Sequence, residues 1–432
     1  MILSRLIGAG WGCVLCAVLC SGQESSNFTI TPNGRAAMEF GQVVHGYDKS
    51  VGEIDHVVVN RIYLGAGVNV HLGTRSDFTG IVEVKAFNEF PRQVINGYTR
   101  RFYYYFYLWQ AELTHRLIEK NGLQLVVGGG YFPYKYNSEV RNLGEYLFRS
   151  TAYPQTLKTE FNYPFERLAG LYARGSYSTG INTFNCDLLA TINTEWMAIG
   201  DLNVSLIASY NLAHILEIGA GVVFGSLVSA DEDATTPKND ATMYMDGSDT
   251  AYYSFRGTKV MGRWSFDLNT LIGNPPIFGD SDLIFYSEAA LLGTKNYDVA
   301  LNSPLWYNSP LERIPVMVGF NFPTFKILDV LSIEREWWGN RYPNSMQGIV
   351  QDGLPLPYLQ GTKTVDSIPY QRDNIKWSVF GAKSFARHYR ISFQVASDHL
   401  RTFAWDWNRQ DWEESLRGPD KWYYMLRFGV HF

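Results

Sequence analysis

Hydrophobic and polar residues alternate with a period of two along many segments of this sequence. From Ile62 to Leu72, aliphatic residues occupy every second position, and tyrosine, glycine, asparagine and histidine lie between them. Segments 184–193 and 202–209 repeat this pattern. Because successive side chains of a strand point to opposite faces, each segment has one apolar and one polar face. Such a sheet is typical of a protein with lipid on one side and water on the other.

The alternating segments predict about sixteen β-strands, an even number as in single-chain bacterial outer-membrane barrels. They are 35–46, 57–73, 79–89, 101–117, 121–134, 165–178, 182–195, 201–210, 214–228, 251–268, 283–297, 312–322, 328–339, 373–385, 388–402 and 422–432.

The connections between these segments alternate between short and long, although 269–282 and 196–200 depart from this rule. Short turns occupy 74–78, 120–122, 178–181, 211–214 and 386–388, and long loops occupy 135–164, 229–250, 298–311, 340–372 and 403–421. This asymmetry predicts an all-β fold, a closed up-and-down antiparallel transmembrane β-barrel with periplasmic termini and long external loops. The strand number could also be fourteen or eighteen if 269–282 or 340–372 contains a hairpin.

Residues 1–22 have the features of a secretory signal peptide, with Arg5 followed by a short apolar stretch and small residues. An alternative is a lipoprotein acylated on Cys20, but the bulky Leu19 before it fits that processing badly. With cleavage near Gly22, the mature chain 23–432 is one barrel unit and keeps a single cysteine, Cys186. Its stability therefore cannot depend on an intrachain disulfide.

Composition narrows the class of protein further. Of the 432 residues, 18% are charged and 15% aromatic, and the net charge is −5. No basic excess points to nucleic acid, and the hydrophobic content is too high for a disordered chain. After residue 22, no apolar run approaches the about 18–20 residues of a membrane-spanning helix.

The last segment alternates aromatic and aliphatic residues up to the final position. Phe428, Val430 and Phe432 lie on one face of this strand, with Gly429 between the first two. The segment resembles the C-terminal assembly signal of Gram-negative outer-membrane β-barrel proteins. The resemblance implies a location in the bacterial outer membrane and recognition by the barrel-assembly machinery. It identifies a porin-like class and no substrate.

Charges of both signs fall on the face opposite the aliphatic one, and a one-residue slip would move them to the other face. Since a basic residue facing lipid at mid-membrane costs about 2–4 kcal/mol, these side chains are predicted to face inward. They line either a polar channel or a salt-bridged, closed lumen. Our candidates for the lumen wall are Lys85, Glu83, Arg263 and Asp398.

The 135–164 connection is the third external loop by order. In general porins the third loop folds into the pore and narrows it, and this segment is similar in position and length. The alternative is an external cap packed on neighbouring loops. The candidate constriction residues are Glu139, Arg141, Glu145 and Arg149.

Other polar clusters suggest no defined chemistry. The acidic 229–250 stretch is predicted to be a solvated, mobile loop, because its carboxylates lack the spacing of a calcium site. Trp405, Trp407 and Trp412 of the 403–421 loop could contact sugars or mark a membrane interface. In Ser397-Asp398-His399, alternation places Asp398 opposite the other two, which argues against a catalytic set. We predict no enzyme, no catalytic or metal site and no cofactor.

These observations predict an outer-membrane pore for passive diffusion of small hydrophilic solutes, with a loop-narrowed lumen of mixed charge. Its partners would be outer-membrane lipid, the assembly machinery and the solutes, with no nucleic acid. Homo-oligomers are expected only by analogy with porins. The alternative is a closed barrel that acts through its loops as an adhesin, a surface receptor or a subunit of an envelope complex.

Overall fold

The computed structural model describes residues 28–48, 52–88, 102–149, 166–192, 200–230, 243–252, 256–294, 311, 314–337, 375–386, 388–403, 410–414, 416 and 418–431. The predicted signal peptide and all of the 150–164 and 340–372 segments lie outside these ranges.

Twenty strands and two short helices make up the described structure. In chain order the strands are β1 (Phe28–Asp48), β2 (Gly52–Leu72), β3 (Ser76–Asn88), β4 (Phe102–Lys120), β5 (Leu123–Tyr134), β6 (Glu166–Thr179), β7 (Asn182–Ile192), β8 (Leu202–Leu212), β9 (Leu216–Val228), β10 (Met243–Asp246), β11 (Asp249–Tyr252), β12 (Gly257–Asp267), β13 (Ile284–Leu291), β14 (Val316–Asn321), β15 (Val330–Trp337), β16 (Ile375–Phe385), β17 (Tyr389–Ser397), β18 (Arg401–Phe403), β19 (Gln410–Glu414) and β20 (Trp422–His431). The helices are α1 (Tyr146–Arg149) and α2 (Leu268–Leu271).

Sixteen of these strands form one closed barrel in the order β1–β9, β12–β17 and β20. Neighbouring strands are antiparallel, and β1 closes the ring by pairing with β20, for example Arg35 opposite His431. The predicted fold class and strand number are therefore confirmed. Closure leaves no strand edge with unpaired backbone groups, which a sheet in lipid requires.

Two predicted loops contain hairpins that the sequence analysis missed. Within 229–250 and the start of the predicted 251–268 strand, β10 and β11 pair across Gly247 and Ser248, so the barrel strand β12 begins only at Gly257. Gly247 has a φ of 67°, which a tight two-residue turn needs. The Asp-Gly-Ser-Asp sequence was the overlooked signal. In the 403–421 region, β18 pairs with β19.

The long 269–282 connection contains α2 and a series of turns rather than a hairpin. The Asp267 side chain caps α2 by accepting a hydrogen bond from the backbone N–H of Thr270 at 2.9 Å. Within the described ranges, no helix has both the length and the apolar composition needed to cross a membrane.

Candidate functional site

The two faces of the barrel wall differ sharply in polarity. Buried residues of the inner face include Arg61, Glu83, Lys85, Lys259, Glu288, Glu334, Glu336 and Lys376. Exposed residues of the outer face include Met38, Phe40, Leu64, Val82, Tyr104, Phe106, Leu171, Leu206, Val260, Ile333 and Leu426. An apolar outer face around a polar interior is the arrangement of a barrel that lies in a bilayer.

The residues that follow β5, 135–149, fold into the barrel, and we call them the inner segment. This segment leaves β5 and forms hydrogen bonds to Glu334 of β15. In the ring of sixteen strands, β5 and β15 are eight places apart in either direction. The inner segment therefore crosses the barrel from one wall to the opposite wall.

Glu334 binds the backbone of the inner segment. One carboxylate oxygen accepts hydrogen bonds from the backbone N–H groups of Asn142 and Leu143, each at 2.8 Å. The other accepts from the N–H of Arg141 and from the Tyr286 hydroxyl. Charge-assisted bonds of this kind are stronger than neutral ones, and all these groups are shielded from bulk water. One wall carboxylate thus fixes three successive residues of the segment.

Glu288 and Glu336 provide two further attachments. Glu288 accepts hydrogen bonds from the Tyr136 hydroxyl at 2.6 Å, the Asn137 side-chain amide at 2.9 Å and the Tyr146 N–H at 2.8 Å. Glu336 accepts from the Tyr146 hydroxyl at 2.9 Å. Burial, followed by the nearby carboxylates, raises the pKa of Tyr136 and Tyr146 well above the usual tyrosine range, so both hydroxyls remain donors.

Helix α1 packs on the inner face of β9, β12 and β13. The Lys259 ammonium donates to the backbone carbonyls of Tyr146 and Leu147 at 3.3 and 3.2 Å. Leu147 lies above Gly221, where a Cβ atom would be only 2.6 Å from the leucine Cδ1. The absence of a side chain at Gly221 therefore creates the space into which α1 packs.

The predicted constriction residues occupy different environments. Glu139 and Arg141 keep about a fifth of their side chains exposed, at 19% and 20%, and form an ion pair of 3.7 Å. Glu139 also accepts a hydrogen bond from Asn321, at the end of β14. Glu145 is only 2% exposed and accepts a hydrogen bond from the Asn137 N–H. It therefore stabilises the fold of the inner segment itself. Arg149 ends α1, and its side chain lies outside the described part of the structure.

The four predicted wall residues all lie on the buried side of the barrel. Glu83 pairs with Arg35 at 2.9 Å, and the Lys85 ammonium lies 5.4 Å from the centre of the Tyr63 ring. Arg263 pairs with Glu217 of the neighbouring strand β9.

Asp398 accepts hydrogen bonds from the Tyr423 hydroxyl at 2.6 Å and the Asn142 side chain at 2.7 Å. The fourth wall residue therefore contacts the inner segment as well. Burial raises the pKa of Asp398, while these two hydrogen bonds and nearby cations act in the opposite direction.

The predicted alternation fails at Ser397, Asp398 and His399, because β17 ends at Ser397 and all three side chains are buried. Two of them contact groups elsewhere in the chain. Ser397 donates to the Gly418 carbonyl at 3.0 Å, and His399 Nε2 lies 2.6 Å from Glu336. We see here no nucleophile–base pair of the kind that covalent catalysis needs. Among the described residues, no group of His, Cys, Asp or Glu is arranged to hold a metal ion.

The sequence did not identify Glu288, Glu334 and Glu336 as the residues that hold the inner segment. Their alternation with outward residues on β13 and β15 indicated the face. Nothing local in the sequence indicated that their partners are backbone and side-chain donors of the inner segment, about 140–190 positions away.

The geometry defines a closed sixteen-stranded barrel of porin-like architecture, with the inner segment 135–149 folded inside. Neither a protein-family model nor a curated protein matches the sequence. Among solved structures, the chain is similar to engineered variants of the Rhodopseudomonas blastica porin. Two of them are 9% and 8% identical, with TM-scores of 0.42 and 0.44, and each alignment covers 94% of this chain and 100% of that chain. At TM-scores this low, the likeness supports no argument about this chain's function.

Proposed function

We propose that this protein is an outer-membrane pore for passive diffusion of small hydrophilic solutes, narrowed by the inner segment. The observation that carries the proposal is a polar, charged interior inside an apolar outer face, crossed by a loop with an exposed ion pair. A barrel of sixteen strands is wide enough for an aqueous channel, whereas one of eight is filled by its own side chains. Solutes would be sorted by size at the inner segment and, more weakly, by the charges around it.

The passage would lie on one side of the inner segment. Helix α1 occupies the side of β9, β12 and β13. The other side is bounded by β16, β17, β20, β1, β2, β3 and β4. Among the partly exposed charges of the segment, Glu139 and Arg141 are our candidates for the constriction.

Cysteine accessibility tests the constriction directly. In a Cys186→Ser background, Glu139→Cys and Arg141→Cys should react with a charged methanethiosulfonate reagent, and the reaction should lower single-channel conductance in a planar bilayer. Glu145→Cys is the matched control from the same segment, and we expect no reaction because its side chain is buried. If Glu145→Cys reacts as fast as the other two, our assignment of the lumen-facing side is wrong.

A second function is favoured by the packing of the inner wall. The Glu39 and Glu83 side chains are completely buried, as expected for a closed barrel that displays its loops as an adhesin, a receptor or a subunit of an envelope complex. A correctly folded protein without any conductance would support this function and exclude the pore. We assign no catalytic role to Ser397 or His399.

The apolar outer face supports location in the outer membrane, with export by the predicted signal peptide. We further propose that the barrel-assembly machinery recognises the C-terminal strand. Phe428 is exposed on the outer face, and Phe432 lies outside the described residues. Deletion of Phe432 should reduce the heat-modifiable barrel recovered from outer membranes, whereas an unchanged yield would argue against this signal.

A further inference from the structure

The last external connection folds back into the barrel beside the inner segment. It joins β17 to β20, and we call its described residues, 398–403, 410–414, 416 and 418–421, the closing loop. Leu400 and Leu416 are buried in an apolar cluster with inner-face residues of four adjacent strands: Ala396 of β17, Tyr423 and Met425 of β20, Val43 of β1 and Val59 of β2. The closing loop therefore occupies part of the side that we propose for the passage.

Hydrogen bonds from the barrel wall fix the second half of the closing loop. The Lys376 ammonium of β16 donates to the Leu416 carbonyl at 2.7 Å. The Ser397 hydroxyl, at the end of β17, donates to the Gly418 carbonyl at 3.0 Å. Both bonds are buried, so they are shielded from competition by water. The closing loop thus has a defined position inside the barrel.

The closing loop contacts the inner segment through Asp398. One oxygen of this carboxylate accepts hydrogen bonds from the Asn142 side-chain amide at 2.7 Å and from the Tyr423 hydroxyl at 2.6 Å. The other oxygen accepts from the Leu400 N–H at 3.0 Å. Asp398 therefore joins three parts of the molecule, which are the closing loop, the inner segment and strand β20.

Glu336 of β15 provides a second link between the two folded-in elements. One of its oxygens lies 2.6 Å from Nε2 of His399 in the closing loop, and the other accepts from the Tyr146 hydroxyl of the inner segment at 2.9 Å. All three side chains are buried. The inner segment packs on β5–β9 and β12–β14, and the closing loop packs on β17, β20, β1 and β2. The two elements thus meet and cover facing sides of the lumen.

The closing loop is attached less firmly than the inner segment. The inner segment contributes six side chains to its buried cluster: Tyr136, Val140, Leu143, Tyr146, Leu147 and Phe148. Glu334 also binds three of its backbone N–H groups. The described part of the closing loop contributes two side chains, Leu400 and Leu416. Because the parts of a protein with few buried apolar contacts open at the lowest free energy, we expect the closing loop to leave the lumen first.

We propose that the closing loop is a gate, which leaves the lumen to open the passage while the inner segment stays in place. This inference rests on the proposed function and adds its regulation. Asp398 is the latch of the gate, because its bond to Asn142 must break when the loop leaves. Opening also exposes Leu400 and Leu416 to water. Both effects favour the closed state, so the open state is the minor one.

Single-channel recording of the refolded protein tests the gate. We expect long closed periods, and Asp398→Ala should raise the open probability at least about fivefold, because it removes the charged acceptor of the Asn142 amide. Leu416→Ala leaves the wall unchanged and should act in the same direction. Asp420→Ala is the matched control and should leave the open probability unchanged, since Asp420 belongs to the same loop but is exposed.

Cysteine labelling shows which of the two elements moves. In a Cys186→Ser background, Val43→Cys tests the wall beneath the closing loop, and Ala290→Cys tests the wall beneath the inner segment. Both native side chains are buried, at 0% and 2% exposure. A charged methanethiosulfonate reagent should label Val43→Cys faster than Ala290→Cys. Adding Asp398→Ala should accelerate the labelling of Val43→Cys and leave that of Ala290→Cys unchanged.

The outcomes separate this inference from the proposed function. A pore that conducts without closed periods, or in which Asp398→Ala behaves like Asp420→Ala, would overturn the gate and keep the pore. Faster labelling of Ala290→Cys than of Val43→Cys would also overturn it, because the inner segment would then be the part that moves. If the folded barrel does not conduct, labelling decides the movement of the closing loop alone. Acceleration at Val43→Cys by Asp398→Ala would support that movement, and unchanged rates would refute it.

Discussion

Glu334 illustrates how single residues fix the position of the inner segment. A loop inside a barrel must satisfy its backbone N–H groups without water or a strand partner, and an unpaired buried N–H costs about 1–3 kcal/mol. Glu334 satisfies those of Arg141, Asn142 and Leu143 together. These N–H groups in turn stabilise the Glu334 carboxylate, because burying a carboxylate without hydrogen-bond partners costs free energy. Each group thus removes the desolvation cost of the other.

Replacing Glu334 should loosen the inner segment and leave the barrel folded. In Glu334→Gln, a side-chain NH₂ group replaces one acceptor and faces backbone donors, which we expect to cost about 1–3 kcal/mol. Amide hydrogen exchange at residues 141–143 should therefore accelerate at least about fivefold. Glu119→Gln, at a position 63% exposed on β4, should leave these rates unchanged. Equal rates in both variants would show that Glu334 does not hold the segment.

The sequence predicts the sheet face on which a side chain lies better than it predicts the group that the side chain contacts. Period-two alternation correctly places Lys85, Glu83 and Arg263 on the inner face, because the neighbours along a strand determine the direction of a side chain. It fails at Ser397 and His399, which are buried together with Asp398 because β17 ends at Ser397. The sequence also does not show that Glu145 points back into its own segment, since that contact depends on the path of the loop.

At the scale of elements, strands were predictable and the contacts between elements were not. Each strand carries its own alternation, so β7 and β8 lie within about three residues of their predicted ends. The hairpin of β10 and β11 was missed because an acidic stretch was interpreted by its charge and not by its turn. The packing of α1 on β9 joins segments about 70 positions apart, and only the closed barrel brings them together.

A side chain at Gly221 should displace α1. In Gly221→Ile the new Cβ would lie 2.6 Å from Leu147 Cδ1, and overpacking of this kind costs about 1–3 kcal/mol. We expect a change in single-channel conductance, upward if α1 moves away from the passage side and downward if it moves into it. Gly262→Ile is the control, because a Cβ at Gly262 meets no atom within 4 Å. Identical conductance in both variants would show that the position of α1 does not affect the passage.

The whole molecule combines two sheet faces that would each be unstable in the other's surroundings. In water, the apolar outer face would remain exposed, and in lipid, the charged inner face would need burial in protein. Closure into a barrel meets both requirements at once. Strand β8, with eleven residues, has the length that a tilted strand needs to cross a bilayer. The outer face should therefore tolerate charge only near the ends of its strands.

Two arginine substitutions on β8 test this depth dependence. Leu206, near the middle of the strand, and Leu212, at its turn end, are 44% and 46% exposed, both on the outer face. Leu206→Arg should destabilise the barrel in lipid vesicles by about 2–4 kcal/mol, and Leu212→Arg by about 0–1 kcal/mol. Urea unfolding in vesicles, followed by tryptophan fluorescence and heat-modifiable mobility, measures both. Because the two positions share a strand, a residue type and an exposure, only membrane depth distinguishes them. Equal destabilisation would mean that this face does not lie in lipid, and the proposal of a transmembrane pore would then fail.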